Sequence, residues 1–94
     1  MAYEIVKKKR FLNKLTKVLS FLEKEWGHKV AENFLDRTDK KIELIRLFPY
    51  IGLPSGVRDT RSLLVTKHNR LFYRVKNGKV IIMNLYDTRK KPKK

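Results

Sequence analysis

The chain has 94 residues, of which 24 are Lys or Arg and 9 are Asp or Glu, giving a formal net charge of +15. It has no cysteine, which excludes disulfides and thiolate metal sites, and no apolar run approaches the roughly 18 residues of a membrane span. We therefore expect a soluble cytoplasmic protein with one domain over residues 1–88, whose excess charge serves an acidic partner such as nucleic acid or an acidic protein.

The N-terminal third predicts a short strand followed by a helix. Residues 2–7 alternate between apolar and polar positions, as a strand does. Apolar residues then recur at steps of three and four from Phe11 to Trp26, which predicts an amphipathic helix over about residues 8–26. Four cations at residues 7–10 oppose the dipole of this helix. They indicate either a functional site or a solvated first turn.

A second helix is predicted over residues 28–48. Gly27 is a natural end for the first helix, the three-and-four periodicity resumes at Val30, and Pro49 ends it. Two helices separated by so short a break favour a helical hairpin packed on one face of a sheet. His28 and His68 have no partner at metal-ligand spacing, so we expect structural roles for both.

The strongest local signal is Asn77-Gly78 between two runs of alternating apolar residues, which predicts a β-hairpin with a two-residue turn. That turn pairs Val75 with Val80, and continuing outward it predicts the pairs Arg74–Ile81, Tyr73–Ile82, Phe72–Met83, Leu71–Asn84 and Arg70–Leu85. One face of the hairpin then holds Leu71, Tyr73, Val75, Val80 and Ile82 and is expected to pack on the core. The other holds Arg70, Phe72, Arg74, Ile81, Met83 and Leu85, and is expected to meet a partner.

The remaining segments complete the predicted fold. Residues 49–61 form a loop marked by prolines and glycines and containing Arg58 and Arg61, and residues 62–67 form a strand. Residues 89–94, with five cations and a proline, are predicted to be a disordered tail. The predicted fold is α+β with the order β-α-α-β-β-β, a helical hairpin packed on one face of an antiparallel sheet.

The sequence lacks the residue patterns typical of metal sites and phosphate-binding loops. The nine acidic residues are scattered, no Cys/His spacing fits zinc, and no glycine-rich loop fits a phosphate, so we expect no metal and no cofactor. Catalysis without a metal would depend on cationic and phenolic groups near the open face: Arg70, Arg74, Arg89 and Tyr86. For each of these, the alternative is a positioning contact to an acidic partner.

Several motifs together resemble the RelE/ParE superfamily of bacterial toxins over nearly the whole chain. They are Trp26-Gly27, Ala31, Phe34, Ile42, Ile45, Pro49, Gly52, the run HNRLFYRV at 68–75 and the ending DTRKKPKK. The resemblance implies the predicted β-α-α-β-β-β fold and a role as the toxin of a type II toxin–antitoxin pair. It also implies a cognate antitoxin partner whose acidic, partly disordered segment wraps the toxin. We predict that this partner contacts Arg61, Arg70, Phe72, Arg74, Ile81, Met83, Leu85 and Arg89.

The superfamily divides by target. RelE-like members cut mRNA on the ribosome, and by resemblance this activity would use Arg70, Arg89 and Tyr86 as catalytic residues. The chain has no tyrosine or histidine after Asp87, where that branch places one. ParE-like members inhibit DNA gyrase and need no catalytic set, and Trp26-Gly27 with Pro49 and Gly52 resembles that branch more. We therefore favour a gyrase inhibitor, with the ribosome-dependent nuclease as the alternative.

A small basic nucleic-acid-binding module is a further alternative. Single-strand binders place paired aromatic residues on the sheet for base stacking. On the predicted arginine face only Phe72 is aromatic, which disfavours this alternative.

Overall fold

The computed structural model describes residues 2–88, which form two helices and five strands. In chain order these are β1 (Glu4–Lys7), α1 (Lys9–Trp26), α2 (His28–Leu47), β2 (Leu53–Pro54), β3 (Thr60–Thr66), β4 (Asn69–Lys76) and β5 (Lys79–Asp87). The predicted α+β fold is confirmed, with one addition, since the two-residue strand β2 lies inside the segment predicted to be a loop. The predicted tail, residues 89–94, lies outside the described residues.

The strands form one mixed sheet in the order β1-β5-β4-β3-β2. The pairs β2–β3, β3–β4 and β4–β5 are antiparallel, but β1 lies parallel to β5. The prediction of a purely antiparallel sheet is therefore wrong at its β1 edge. The two helices between β1 and the later strands provide the long crossover connection that parallel pairing requires.

Both helices form where the periodicity predicts them. Gly27 has φ 99°, a left-handed value that favours glycine, and its N–H donates to the Glu23 carbonyl at 3.0 Å to end α1. The first turn of α1 contains no acidic residue, and Lys8 at its N-cap makes no side-chain capping bond. Among the helices of residues 2–88, none combines the length and apolar character that a membrane crossing requires.

The core lies between the helical hairpin and one face of the sheet, called here the core face. Phe11 of α1 and Ile45 of α2 are fully buried against strands β3, β4 and β5. The core-face residues of the sheet are almost fully buried, as predicted for all but the last of them: Leu71, Tyr73, Val75, Val80, Ile82 and Leu85. Because both helices cover this face, no helix of residues 2–88 packs on the opposite face of the sheet.

The hairpin turn sets the β4–β5 register only over its first half. Asn77 has φ 52° and Gly78 has φ 73°, the two positive values of a type I′ turn. The predicted pairs Val75–Val80, Arg74–Ile81 and Tyr73–Ile82 are confirmed. A β-bulge follows, so Met83 is an extra residue and the next pairs are Phe72–Asn84, Leu71–Leu85 and Arg70–Tyr86. The predicted pairs Phe72–Met83, Leu71–Asn84 and Arg70–Leu85 are wrong by this one residue.

The bulge exchanges the faces of the residues that follow it. Leu85, predicted to contact the partner, is 1% exposed and belongs to the core. Tyr86 takes the outward position and is 47% exposed. The face turned away from the helices therefore contains a phenol where the sequence predicts a leucine.

One ion-pair cluster at the break between the helices leads to a pH prediction. The His28 ring lies 2.9 Å from Glu23 through Nδ1 and 3.5 Å from Glu32 through Nε2. The hydrogen bond to Glu23, followed by the charge of Glu32, raises the pKa of His28 above its usual 6.5. A raised pKa in the folded state contributes stability below pH 6.5 that is lost as pH rises through the folded pKa.

We expect this effect on stability to be small, because the cluster is exposed to solvent. An NMR titration should give a His28 pKa above 6.5 that falls in Glu23→Gln. The matched control Glu25→Gln, which removes a charge from the same turn, should leave it closer to the original value. A His28 pKa below 6.5 would contradict the geometry.

Candidate functional site

The face of the sheet turned away from the helices holds most of the predicted partner-binding residues. We call it the outer face and define it by six residues of β4 and β5: Arg70, Phe72, Arg74, Ile81, Met83 and Tyr86. Five of these side chains are half-buried and Tyr86 is exposed. The face is therefore a mixed surface, with apolar side chains between two arginines.

The Arg70 side chain is held in place by the neighbouring strand. Its Nη1 donates to Ser62 Oγ on β3 at 2.8 Å, and Ser62 is 5% exposed. Arg70 also pairs across the ladder with Tyr86. The two predicted catalytic residues described by the structure thus lie on adjacent strands and face each other. Arg89, the third, lies outside the described residues.

Arg74 has one buried N–H group without a hydrogen-bond acceptor within residues 2–88. The atom is Nε of the guanidinium. A buried guanidinium N–H without an acceptor costs free energy, on the order of 1–3 kcal/mol.

Aromatic contacts connect the two strands next to the arginines. Phe72 and Tyr86 pack edge to face, with ring centroids 5.1 Å apart and an interplanar angle of 88°. Lys14 of α1 places its Nζ 5.7 Å from the centroid of the Tyr86 ring. The bulge is what brings Tyr86 to this position, so the second aromatic residue of the outer face could not be predicted from uninterrupted alternation.

A groove of about 570 Å³ runs from this aromatic pair to the start of α1, and we call it the outer groove. Its apolar floor includes Phe72, Met83 and Val57. Three consecutive cations at the start of α1 line it as well: Lys8, Lys9 and Arg10. The run of cations noted in the sequence is exposed to solvent and lies beside the outer face.

Asn84 is a groove residue that the sequence prediction missed. It is 9% exposed, and its Oδ1 accepts a hydrogen bond from the Leu85 N–H at 2.8 Å. Its position next to the bulge turns it toward the groove rather than the core. The available signal was a lone amide in the otherwise apolar run VIIMNL, which predicts a polar environment at that point.

Arg61, which we predicted to bind the partner, makes hydrogen bonds within the chain. It pairs with Tyr73 in the sheet, and its Nη1 donates to the carbonyls of Gly52 at 2.8 Å and Tyr50 at 3.2 Å. Its guanidinium carbon also lies 5.1 Å from the centroid of the Tyr50 ring. Arg61 therefore fixes the loop after α2 and lies apart from the outer face.

Comparison with solved structures gives close similarity in fold. A chain of the chromosomal ParDE toxin–antitoxin system from P. aeruginosa superposes with TM-score 0.80 at 15% identity, over 92% of this chain and 96% of that one. A mutant of E. coli toxin RelE in the free state gives TM-score 0.65 at 23% identity, over 93% and 84%. The YoeB dimer of Staphylococcus aureus gives 0.63 at 11% identity, over 92% and 97%.

These identities establish the fold only, and a search of curated proteins finds no significant match. The family is established by the sequence itself. Residues 5–92 match the family model described as "ParE toxin of type II toxin-antitoxin system, parDE", which spans nearly the whole chain from β1 to beyond β5. With both helices, the sheet and the outer groove inside the matched range, the chain belongs to the ParE toxin family of type II toxin–antitoxin systems.

Proposed function

We propose that the chain inhibits growth by binding DNA gyrase. The observation that supports this target most is the match to the ParE family over residues 5–92. The composition of the outer groove agrees with it, because none of the described residues that line the groove is a histidine or a carboxylate. Imidazole and carboxylate groups are common general bases, so a groove lined instead by cations, one phenol and apolar side chains favours binding over cleavage of a phosphodiester.

We further propose that an antitoxin neutralises the toxin by laying an acidic segment across the outer face. Phe72 and Met83 provide apolar anchors, since half-buried aromatic residues at the centre of an interface contribute most of the binding energy. Arg70 and Arg74 orient the segment through its carboxylates. The cations at residues 8–10 extend the same positive surface along the groove. The net charge of +15 speeds encounter with a partner of opposite charge.

A gyrase assay tests the proposed target. Purified toxin added to gyrase and supercoiled plasmid should inhibit the enzyme and trap double-strand breaks, and expression in cells should induce the DNA-damage response. In parallel, mRNA on programmed ribosomes should remain intact. Because binding energy would be spread over a surface, Arg70→Ala should reduce the gyrase effect only partly. Intact gyrase activity at saturating toxin would contradict the proposal.

The alternative, a ribosome-dependent ribonuclease, is favoured by one observation. Arg70 and Tyr86 are cross-strand partners on the outer face, which places a held guanidinium next to a phenol. In this case Arg70→Ala should slow cleavage of ribosome-bound mRNA by about 100-fold, the effect of losing one preorganised charge donor. Discrete cuts within codons that are abolished by Arg70→Ala would establish the nuclease and exclude gyrase as the main target.

A further inference from the structure

A second groove, of about 410 Å³, lies along α1 beside the outer groove, and we call it the helix groove. Its lining is entirely polar or cationic: Lys9, Arg10, Asn13, Lys14, Lys17 and Asn84. Lys9 and Lys17 are separated by eight residues, so the cations extend for about 12 Å along the helix. None of these cations forms an ion pair within residues 2–88.

Asn84 supplies an observation independent of the charge. Asn84 is 9% exposed, and its Oδ1 accepts a hydrogen bond from the Leu85 N–H. The amide nitrogen lies on the other side of the amide group from this bonded oxygen. Since Asn84 lines the helix groove, its amide N–H is a candidate donor to an oxygen ligand bound there.

We propose that the helix groove binds the phosphodiester backbone of duplex DNA. Phosphate oxygens are bound by lysine, arginine and amide donors without any apolar anchor, and the helix groove offers only such groups. An acidic peptide that orders on binding needs apolar anchors, which the outer groove has and the helix groove lacks.

The absence of aromatic residues from the lining of the helix groove also favours a duplex over a single strand. Single-stranded DNA or RNA is bound by stacking its bases on aromatic side chains, and none lines the helix groove. A duplex keeps its bases stacked internally and presents a regular backbone to a straight row of cations. The choice of DNA over RNA rests on the proposed function, because the substrate of gyrase is duplex DNA, and the toxin would contact that DNA while bound to the enzyme.

The test measures DNA binding by the full-length toxin without gyrase. Fluorescence anisotropy with a labelled duplex of about 20 base pairs, over a range of salt concentrations, should give a dissociation constant on the order of 10 µM near physiological salt. Lys9→Ala/Lys17→Ala should reduce the slope of log affinity against log salt by about 1.8, for two lost phosphate contacts. Asn84→Asp retains the acceptor for Leu85 but replaces the amide N–H with a negative charge, and should weaken binding by about tenfold.

The matched control is Lys24→Ala/Lys29→Ala, which removes the same charge near the opposite end of α1. We expect the control to keep nearly the full salt slope, and all variants to unfold at similar temperatures. Equal losses in the control and in Lys9→Ala/Lys17→Ala would overturn the site. Tighter binding to single-stranded DNA, to duplex RNA or to a glutamate-rich peptide than to duplex DNA would overturn the proposed ligand. The gyrase proposal is tested separately, because these measurements contain no gyrase.

Discussion

Replacing Gly52 with alanine should destabilise the toxin by roughly 3–5 kcal/mol, a large part of the stability of a domain this small. A Cβ at this position would lie 2.5 Å from the Tyr73 Oη and 2.8 Å from the Ser62 carbonyl oxygen. The Ser62 carbonyl oxygen belongs to the backbone of β3, so that strand itself must shift to make room for the Cβ. The urea midpoint of the purified variant measures this effect.

The destabilisation has a second source in the Tyr73 hydroxyl. It donates to the Pro49 carbonyl and accepts from the Gly52 N–H, both at 2.8 Å, and it ties the end of the helical hairpin to the sheet. Burial raises the pKa of the Tyr73 phenol, so the hydroxyl keeps its proton and can donate. Moving it away from a Cβ at Gly52 breaks both bonds and leaves two buried backbone groups without partners.

Gly56→Ala is the matched control for this prediction. A Cβ there meets nothing within 4 Å, but the backbone has φ 88°, so alanine costs only the conformational strain, about 1–2 kcal/mol. Tyr73→Phe removes the hydroxyl without the clash, and we expect an intermediate loss. If Gly52→Ala proved no more destabilising than Gly56→Ala, the close packing of Tyr73 on Gly52 would be disproved.

Phe72→Ala should weaken the complex with the antitoxin by roughly 2–4 kcal/mol, as truncation of a central aromatic anchor does. This corresponds to an affinity about 30- to 1,000-fold lower. The loss follows from the position of Phe72, between two arginines and packed on Tyr86, where it forms the floor of the outer groove. Calorimetry or surface plasmon resonance with the cognate antitoxin gives the value directly.

Phe21→Ala is the matched control, because it makes the same truncation on α1 instead of on the outer face. Phe21 lies on α1 and is 56% exposed, and it is absent from the buried core. We expect its truncation to change antitoxin affinity by less than about 0.5 kcal/mol. A larger loss in Phe21→Ala than in Phe72→Ala would move the antitoxin site from the outer face to the helical hairpin.

The elements that could be predicted are those specified by local patterns. The three-and-four spacing from Phe11 to Trp26 and the positive φ required at Gly27 determine the helices. Asn77-Gly78 determines the turn and the first three pairs of the hairpin. The parallel position of β1 was missed, because it depends on the path of the chain through both helices rather than on any residue of β1.

The site was predicted only in part, and for a comparable reason. Alternation correctly placed Arg70, Phe72 and Arg74 on the outer face, since β4 has no irregularity of its own over those residues. It misplaced Leu85, because the bulge adds a residue that no local turn signal indicates. The cations of residues 8–10 were noticed, but their position beside Tyr86 depends on how α1 packs against β5.

The bulge has a consequence for how this surface can change during evolution. Met83 and Asn84 are consecutive residues that both line the outer groove, an arrangement that regular alternation does not allow. Deleting Met83 would remove the bulge but leave Leu85 in the core and Tyr86 on the outer face, because each would keep its partner on β4. Among relatives of this toxin, a one-residue gap at this point of the last strand would therefore mark the loss of one apolar anchor from the groove, with the rest of the face unchanged. A gap of the same size in the loop after α2 would be expected to have far less effect.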